Sequence, residues 1–268
     1  MKFLRYIAAR EKECGAVLAV QLIYSAVCLA AFVYNVASGG GASKITASVS
    51  YIFLILLPFA AEYILRFRCP QWYAAAIIIM SLGSFAGEVF DVYVAFPAFD
   101  FILHFLNGII LGMFGYMIGI AVTGGRERKS VAFCVACAVV FAAAVSAFWE
   151  IYEFFRSMIT GMDHEEDVFV NAIRSFTLSG THEKPFVMED ITKTLIYYNG
   201  GTDVCEIKGY LDIGLNDTLW DMTAGTLGGA AVGPLALIRK NGERIFPEKV
   251  FPRPGRREFA ESSGGQRD

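Results

Sequence analysis

Charge is scarce in this chain: 18% of its 268 residues are Asp, Glu, Lys or Arg, against about 25% in an ordinary soluble domain. The net charge is only −3, so the broad basic footprint of a nucleic-acid-binding protein is missing. No nucleophilic serine motif, phosphate-binding Walker loop or HExxH zinc signature occurs, which leaves any chemistry to other groups. Cysteines stand at 14, 28, 69, 134, 137 and 205. Only Cys205 falls in a long polar connection, which excludes a disulfide framework there, and the CxxC pair Cys134 and Cys137 lies inside an apolar run as packing. What is abundant is apolar: 55% hydrophobic before the 26 glycines are counted. That excess is gathered in blocks of about 20 residues, as bilayer spans require.

Six such runs occur, at about 15–37, 48–65, 71–90, 99–122, 130–155 and 218–238. Each can cross about 30 Å of hydrocarbon as a helix. The pattern predicts an all-α polytopic membrane protein, a bundle of six transmembrane helices. Charge with helix breakers separates the runs at Arg66 to Pro70 and at Thr123 to Lys129. Basic residues favour one side: Lys2, Arg5, Arg10, Lys12, then Arg66 and Arg68, then Arg126, Arg128 and Lys129, then Arg239, Lys240 and Arg244. The alternate loops hold only Lys44, so both termini are expected in the cytoplasm of an inner-membrane protein. The first run is longer than a signal peptide's apolar region, which favours a retained span over cleavage near Ala37 or Ser38.

On this reading residues 1–14 are a cytoplasmic N-terminus, 15–239 the membrane domain and 240–268 a cytoplasmic tail, with 247–268 disordered. The connection 156–216, about 60 residues long, is extracytoplasmic. Its acidic cluster Asp163, His164, Glu165, Glu166, Asp167 reads as a solvated loop. Thr194 to Tyr198, the turn Asn199, Gly200, Gly201, and Val204 to Ile207 predict a small hairpin within it.

The remaining ionisable residues crowd the outer end of four spans: Glu88 and Asp91, Asp100 and His104, Glu150 and Glu153, Asp217 and Asp221. Each pair is spaced i,i+3 or i,i+4, on one helix face. Small residues continue the same faces every fourth position: Gly83 and Gly87; Gly108 and Gly112; Ala138, Ala142 and Ser146; Gly225, Gly229 and Gly233. Such stripes mark helix contacts in membranes, so the acids point toward neighbouring helices. With Arg156 the only cation nearby, converging carboxylates must hold protons or bind a cation. Seven oxygen-donor side chains with one imidazole suit Mg, Mn or Ca, with Fe as a further option and tetrahedral Zn less natural. All eight residues are therefore candidate ligands, and Glu150 or Glu153 a candidate general base. Glu153 and Asp217 lie closest to the headgroups, where water alone would account for them. Glu62, near the other membrane face, reads as a boundary residue, Trp149 and Trp220 as interface anchors, and Asn107 as a helix bridge.

Three short motifs in order, DFILHF from Asp100 followed by Gly108, FWEIYE from Phe148, and DTLWDM from Asp217 followed by Gly228 and Gly229, resemble the YjdF-like family of uncharacterised bacterial inner-membrane proteins and, more distantly, VanZ-like membrane proteins. The likeness covers roughly 50–235. The stretch between the second and third motifs is longer than the resemblance leads one to expect, so the ligand set it implies rests on Asp100, His104, Glu150, Glu153, Asp217 and Asp221. It implies a membrane location and no reaction. Three functions follow from the residues: a metal-dependent hydrolase or transferase acting on a lipid or polyprenyl headgroup, a cation or proton transporter, and a scaffold or sensor stapled by its metal. Membrane lipids are the expected partners. Acids confined to one end, with no matching path through the other half, argue against a conduit.

Overall fold

Helical order starts at the second residue. The computed structural model describes residues 2–65, 70–123, 131–240 and 243–244. The expected breaks at Arg66 to Cys69 and Gly124 to Lys129, and the tail 247–268, lie outside the described residues. Among the described residues, five helical stretches are long and apolar enough to cross a membrane: Gly15–Ser38, Ala42–Ile64, Gln71–Val89, Ala98–Val122 and Val131–Thr160. The chain divides into two compact units, residues 1–146 with 223–268, and residues 147–222.

The first unit is built from α1 (Lys2–Glu13), α2 (Gly15–Ser38), α3 (Ala42–Ser50), a 3-10 turn (Tyr51–Leu56), α4 (Leu57–Leu65), α5 (Gln71–Val89), α6 (Val92–Ala95) and α7 (Ala98–Val122). The first part of α8 (Val131–Thr160) and most of α10 (Leu215–Leu237) also belong to it. The sixth expected span coincides with α10, 23 residues long. It is less apolar than the other five, because Asp217, Asp221, Thr223, Thr226 and the glycines at 225, 228, 229 and 233 dilute it. The core holds Val17, Tyr24 and Cys28 of α2, Phe59 of α4, and Tyr73, Ile78 and Phe85 of α5. A second cluster joins Tyr116, Cys134, Ala138 and Val232, so Cys134 packs as expected. Leu22, Ile23, Leu29 and Val33 of α2 are exposed, the outward apolar face that lipid covers.

Two helix boundaries differ from expectation for readable reasons. Gly39 ends α2 in the left-handed conformation, φ 70°, and the next helix restarts at Ala42, six residues early, placing Lys44 in its first turn. Arg156 belongs to α8 rather than to a loop, because no breaker intervenes before Gly161, whose φ is +66°. Inside the second span, Pro58 has no N–H to offer the Leu54 carbonyl, and its ring crowds that carbonyl. The backbone tightens to the 3-10 turn, with Leu57 N–H donating to Leu54 O instead, and Gln21 Nε2 donates to the Ile55 carbonyl at 2.9 Å.

Near the start of the chain, α1 lays Tyr6, Ile7 and Arg10 against α4. Glu62 is not a boundary residue: it is fully buried. Arg10 Nε and Nη2 donate to its two oxygens at 2.8 and 2.9 Å, and the Tyr6 hydroxyl donates to Oε2 at 2.9 Å. The guanidinium also lies 5.6 Å from the centre of the Phe59 ring, a cation–π distance. Burial alone would lower the Arg10 pKa, but the hydrogen bonds and charge of Glu62 outweigh it and raise the value.

The second unit, residues 147–222, contains the strands the sequence shows least well. β1 (Val168–Val170) pairs antiparallel with β6 (Tyr210–Asp212), and β2 (Ile173–Ser175) with β3 (Phe186–Met188). The short helix α9 (Phe176–Ser179) follows β2, capped by Ser175 Oγ accepting from Leu178 N–H. The expected hairpin is present: β4 (Lys193–Tyr198) pairs with β5 (Asp203–Lys208) from Lys193↔Lys208 to Tyr198↔Asp203, across the turn Asn199–Gly201. Thr194 Oγ1 donates to Gly209 O at 2.6 Å, tying the hairpin base to the strand that follows. Asp212 accepts from both the backbone and the side chain of Asn216, at 2.6 and 2.9 Å, and so anchors the first turn of α10. In the first unit, the two-residue strands β7 (Arg239–Lys240) and β8 (Glu243–Arg244) pair after α10.

Candidate metal centre

The glycine stripes of α7 and α10 meet. A methyl group placed on Gly108 would overlap the Gly225 carbonyl, and one on Gly228 would overlap the Phe105 carbonyl. At Gly112 it would come within 2.8 Å of Gly229 Cα. Helix backbones touch here without side chains between them, the close approach that small residues permit in membranes. The other side of α7 meets α8 in the same way, Gly115 against the Cys137 carbonyl and Gly119 against Cys134. On α8, Ala138 and Ala142 are fully buried and Ser146 nearly so, and a methyl on Gly229 would sit 2.6 Å from the Ala142 side chain.

That register decides what lies one turn farther along. Gly108 leads back to His104 and Asp100 on α7, and Gly225 leads back to Asp221 on α10. Asp100 Oδ1 lies 3.7 Å from His104 Nε2, and both side chains are mostly covered. Asp221 is buried, 3% exposed. Asp100, His104 and Asp221 each offer one ligand-capable atom, and these atoms all lie within 4.8 Å of one another. Two donors on a single ion stand at most about twice a bond length apart, roughly 4–5 Å for bonds of 2.0–2.4 Å. Two carboxylates and an imidazole at this separation therefore fit a divalent ion and leave coordination positions for water or substrate.

The other expected ligands have individual settings. Glu150 of α8 is buried, 5% exposed, while Glu88, Glu153 and Asp217 are half-buried. Asp91 is exposed and ion-paired with Lys44. It caps α6 in a left-handed conformation, φ 56°. The i,i+4 spacing from Gly87 to Asp91 signalled one helix face, but α5 ends at Val89, so Asp91 left that face. Lys44 was legible only as the lone cation of its loop. Trp149 and Trp220 are exposed, at 39% and 61%.

Outside the spans, the 163–167 cluster has its own electrostatics. Partial burial, then the charges of Asp163 and Asp167, push the Glu165 carboxyl up. Partial burial, Asp163 and Asp212 do the same to Asp167.

The model of a family described as "Predicted membrane protein (DUF2238)" matches residues 20–242. No curated protein matches the chain. No solved structure matches it either.

Proposed function

Because the chain belongs to the DUF2238 family of predicted membrane proteins, we propose a function from its site geometry: a divalent-metal centre on α7 and α10 serving a hydrolase or transferase that acts on a lipid or polyprenyl headgroup. The observation that carries this reading is the convergence of Asp100, His104 and Asp221 from two helices whose backbones are in contact. Ionisable groups at membrane depth are costly, by about 2.5–3.5 kcal/mol for a charged residue at mid-bilayer on insertion scales, and are retained where they do something.

Asp100, His104 and Asp221 would hold the ion, with Glu88, Asp91, Glu150, Glu153 and Asp217 as the wider set of acids available at this end of the spans. Bound there, a divalent ion supplies Lewis-acid polarisation of a phosphoryl or carbonyl oxygen and acidifies a water. The chain's own part is to orient and to move protons. Asp100 lies one turn from His104 on α7, 3.7 Å away, so a single helix would present both side chains to the ion, and Glu150 or Glu153 takes a proton as general base. Mg, Mn or Ca suits the oxygen-rich set, and Fe or Zn is the alternative if His104 dominates. The asymmetry of basic residues supports an inner-membrane location with cytoplasmic termini and an extracytoplasmic 156–216 segment, and on that orientation the centre would lie toward the outer leaflet.

Metal analysis of detergent-purified protein tests the reading. About one divalent ion per chain is expected, lost in Asp221→Asn and in His104→Ala. Metal-free wild-type protein overturns it. Labelled phospholipids and polyprenyl phosphates then test the enzyme. The backbone-to-backbone seam supports a second reading, a noncatalytic staple. Bound metal whose removal lowers Tm, without turnover of either lipid class, favours that one.

A further inference from the structure

The buried charge pair at the start of the chain shares no residue with the metal centre, and neither proposed function uses it. Glu62 is one of the largest fully buried side chains, and Arg10 is 5% exposed. The pair is bidentate, a fork of two parallel N–H···O bonds at 2.8 and 2.9 Å. Tyr6 adds a third donor to the same carboxylate, and Arg10 Nη1 reaches Glu13 Oε2 at 2.9 Å. Arg10 and Tyr6 thus meet the Glu62 carboxylate with geometrically matched donors.

The rest of α1 holds on weakly. Of its 12 residues, Tyr6 and Ile7 are its buried apolar side chains, and Phe3 meets Tyr63 edge-on with ring centres 5.2 Å apart. Leu4, Arg5, Ala8, Ala9 and Lys12 are exposed. A helix this short does not persist by itself in water, and a carboxylate sealed within an apolar span is strongly unfavourable without its counterion. Each side needs the other: α4 needs the Arg10 charge, and α1 needs the Glu62 anchor.

We propose that α1 is a latch held on the second span by the Arg10–Glu62 pair rather than by apolar packing, and that loss of either charge releases it as a unit. The short link between α1 and α2 is where release would be felt. Cys14 sits there, 1% exposed, with its N–H donating to the Arg10 carbonyl at 2.9 Å. Cys28 and Cys134 are equally buried but belong to α2 and α8, so the native cysteines report local release and general loosening separately.

The experiment is modification of the full-length protein in detergent by N-ethylmaleimide, read cysteine by cysteine by mass spectrometry, in wild type, Glu62→Gln, Arg10→Gln and the double variant Arg10→Met with Glu62→Met. The latch predicts that Cys14 reacts on the order of a hundredfold faster in either single variant, the loss expected when one partner of a buried pair is removed. Cys28 and Cys134 should stay at wild-type rates, and the double variant, which has lost the pair altogether, should leave Cys14 as fast as in the single variants. Two outcomes overturn the proposal: Cys14 as slow in Glu62→Gln as in wild type, or all three cysteines accelerated together.

Discussion

The two units of this chain satisfy their backbones by opposite means. In residues 1–146 with 223–268, the described elements are nearly all helices whose N–H and C=O groups are paired internally, and whose outer faces carry Leu22, Ile23 and Val33. In residues 147–222, three separate two-stranded sheets leave open edges, and an open edge needs water because lipid offers no hydrogen bonds. The difference also shows in what glycine does. In the first unit Gly108 and Gly228 exist for lack of a side chain because another backbone occupies the space, and Gly225 because the Ser146 hydroxyl does. In the second, Gly200 and Gly201 exist for their φ of 69° and 90°, with open space around them. One residue type solves a packing problem in one place and a turn problem in the other.

That contrast can be broken by substitution. The largest effect is expected at Gly228→Leu, which drives a side chain into the Phe105 carbonyl and should abolish a monodisperse fold, seen as aggregation on size-exclusion chromatography. Even Gly228→Ala should lower stability by about 1–3 kcal/mol, the usual result of overpacking. Gly200→Ala should cost only about 1–2 kcal/mol from its left-handed conformation and leave the elution profile unchanged. Equal damage from the two alanines would erase the distinction.

A smaller effect sharpens the first unit alone. The Tyr24 hydroxyl is buried without a hydrogen-bond partner among the described residues, a state that ordinarily costs about 1–3 kcal/mol. Tyr24→Phe should therefore raise Tm by a few degrees; a fall would show that the hydroxyl is engaged.

The smallest effect belongs to the second unit. Glu165 and Asp167 have raised pKa values in the folded protein. Their protonated forms favour folding, so this contribution is fully present below the unfolded carboxyl values, near pH 4, and is lost as pH rises through the raised folded values. Hydrogen exchange in β1 and β6 should be slower at pH 4 than at pH 7 after correction for intrinsic rates, and Asp163→Asn should shrink the difference. A pH-independent protection ratio would contradict this.

Much of the architecture was legible because it is local. Five apolar runs and the Asn199, Gly200, Gly201 turn declare themselves within about 20 residues, and the four-residue stripes through Gly108 and Gly225 identified the faces that touch. Those stripes led to eight candidate ligands on four helices, of which Asp100, His104 and Asp221 have ligand-capable atoms within 4.8 Å of one another. What escaped was pairing at a distance. Arg10 and Glu62 are 52 positions apart, Lys44 and Asp91 47, and nothing in either neighbourhood names the other. The strands of Val168–Val170 and Tyr210–Asp212 are three residues each, too short for alternation to stand out, and their partnership is a matter of closure across some forty intervening residues.

That closure has a consequence for how this protein can vary. Val168 and Asp212 face each other as strand partners, about 5 Å apart, so everything threaded from one to the other leaves and returns at a single doorway. Material of almost any size can be hung there, exchanged or trimmed away, without tugging on the helices that precede and follow it. An excision that joins Val170 directly to Tyr210 through a two-residue turn would ask whether the helical body ever needed its ornament.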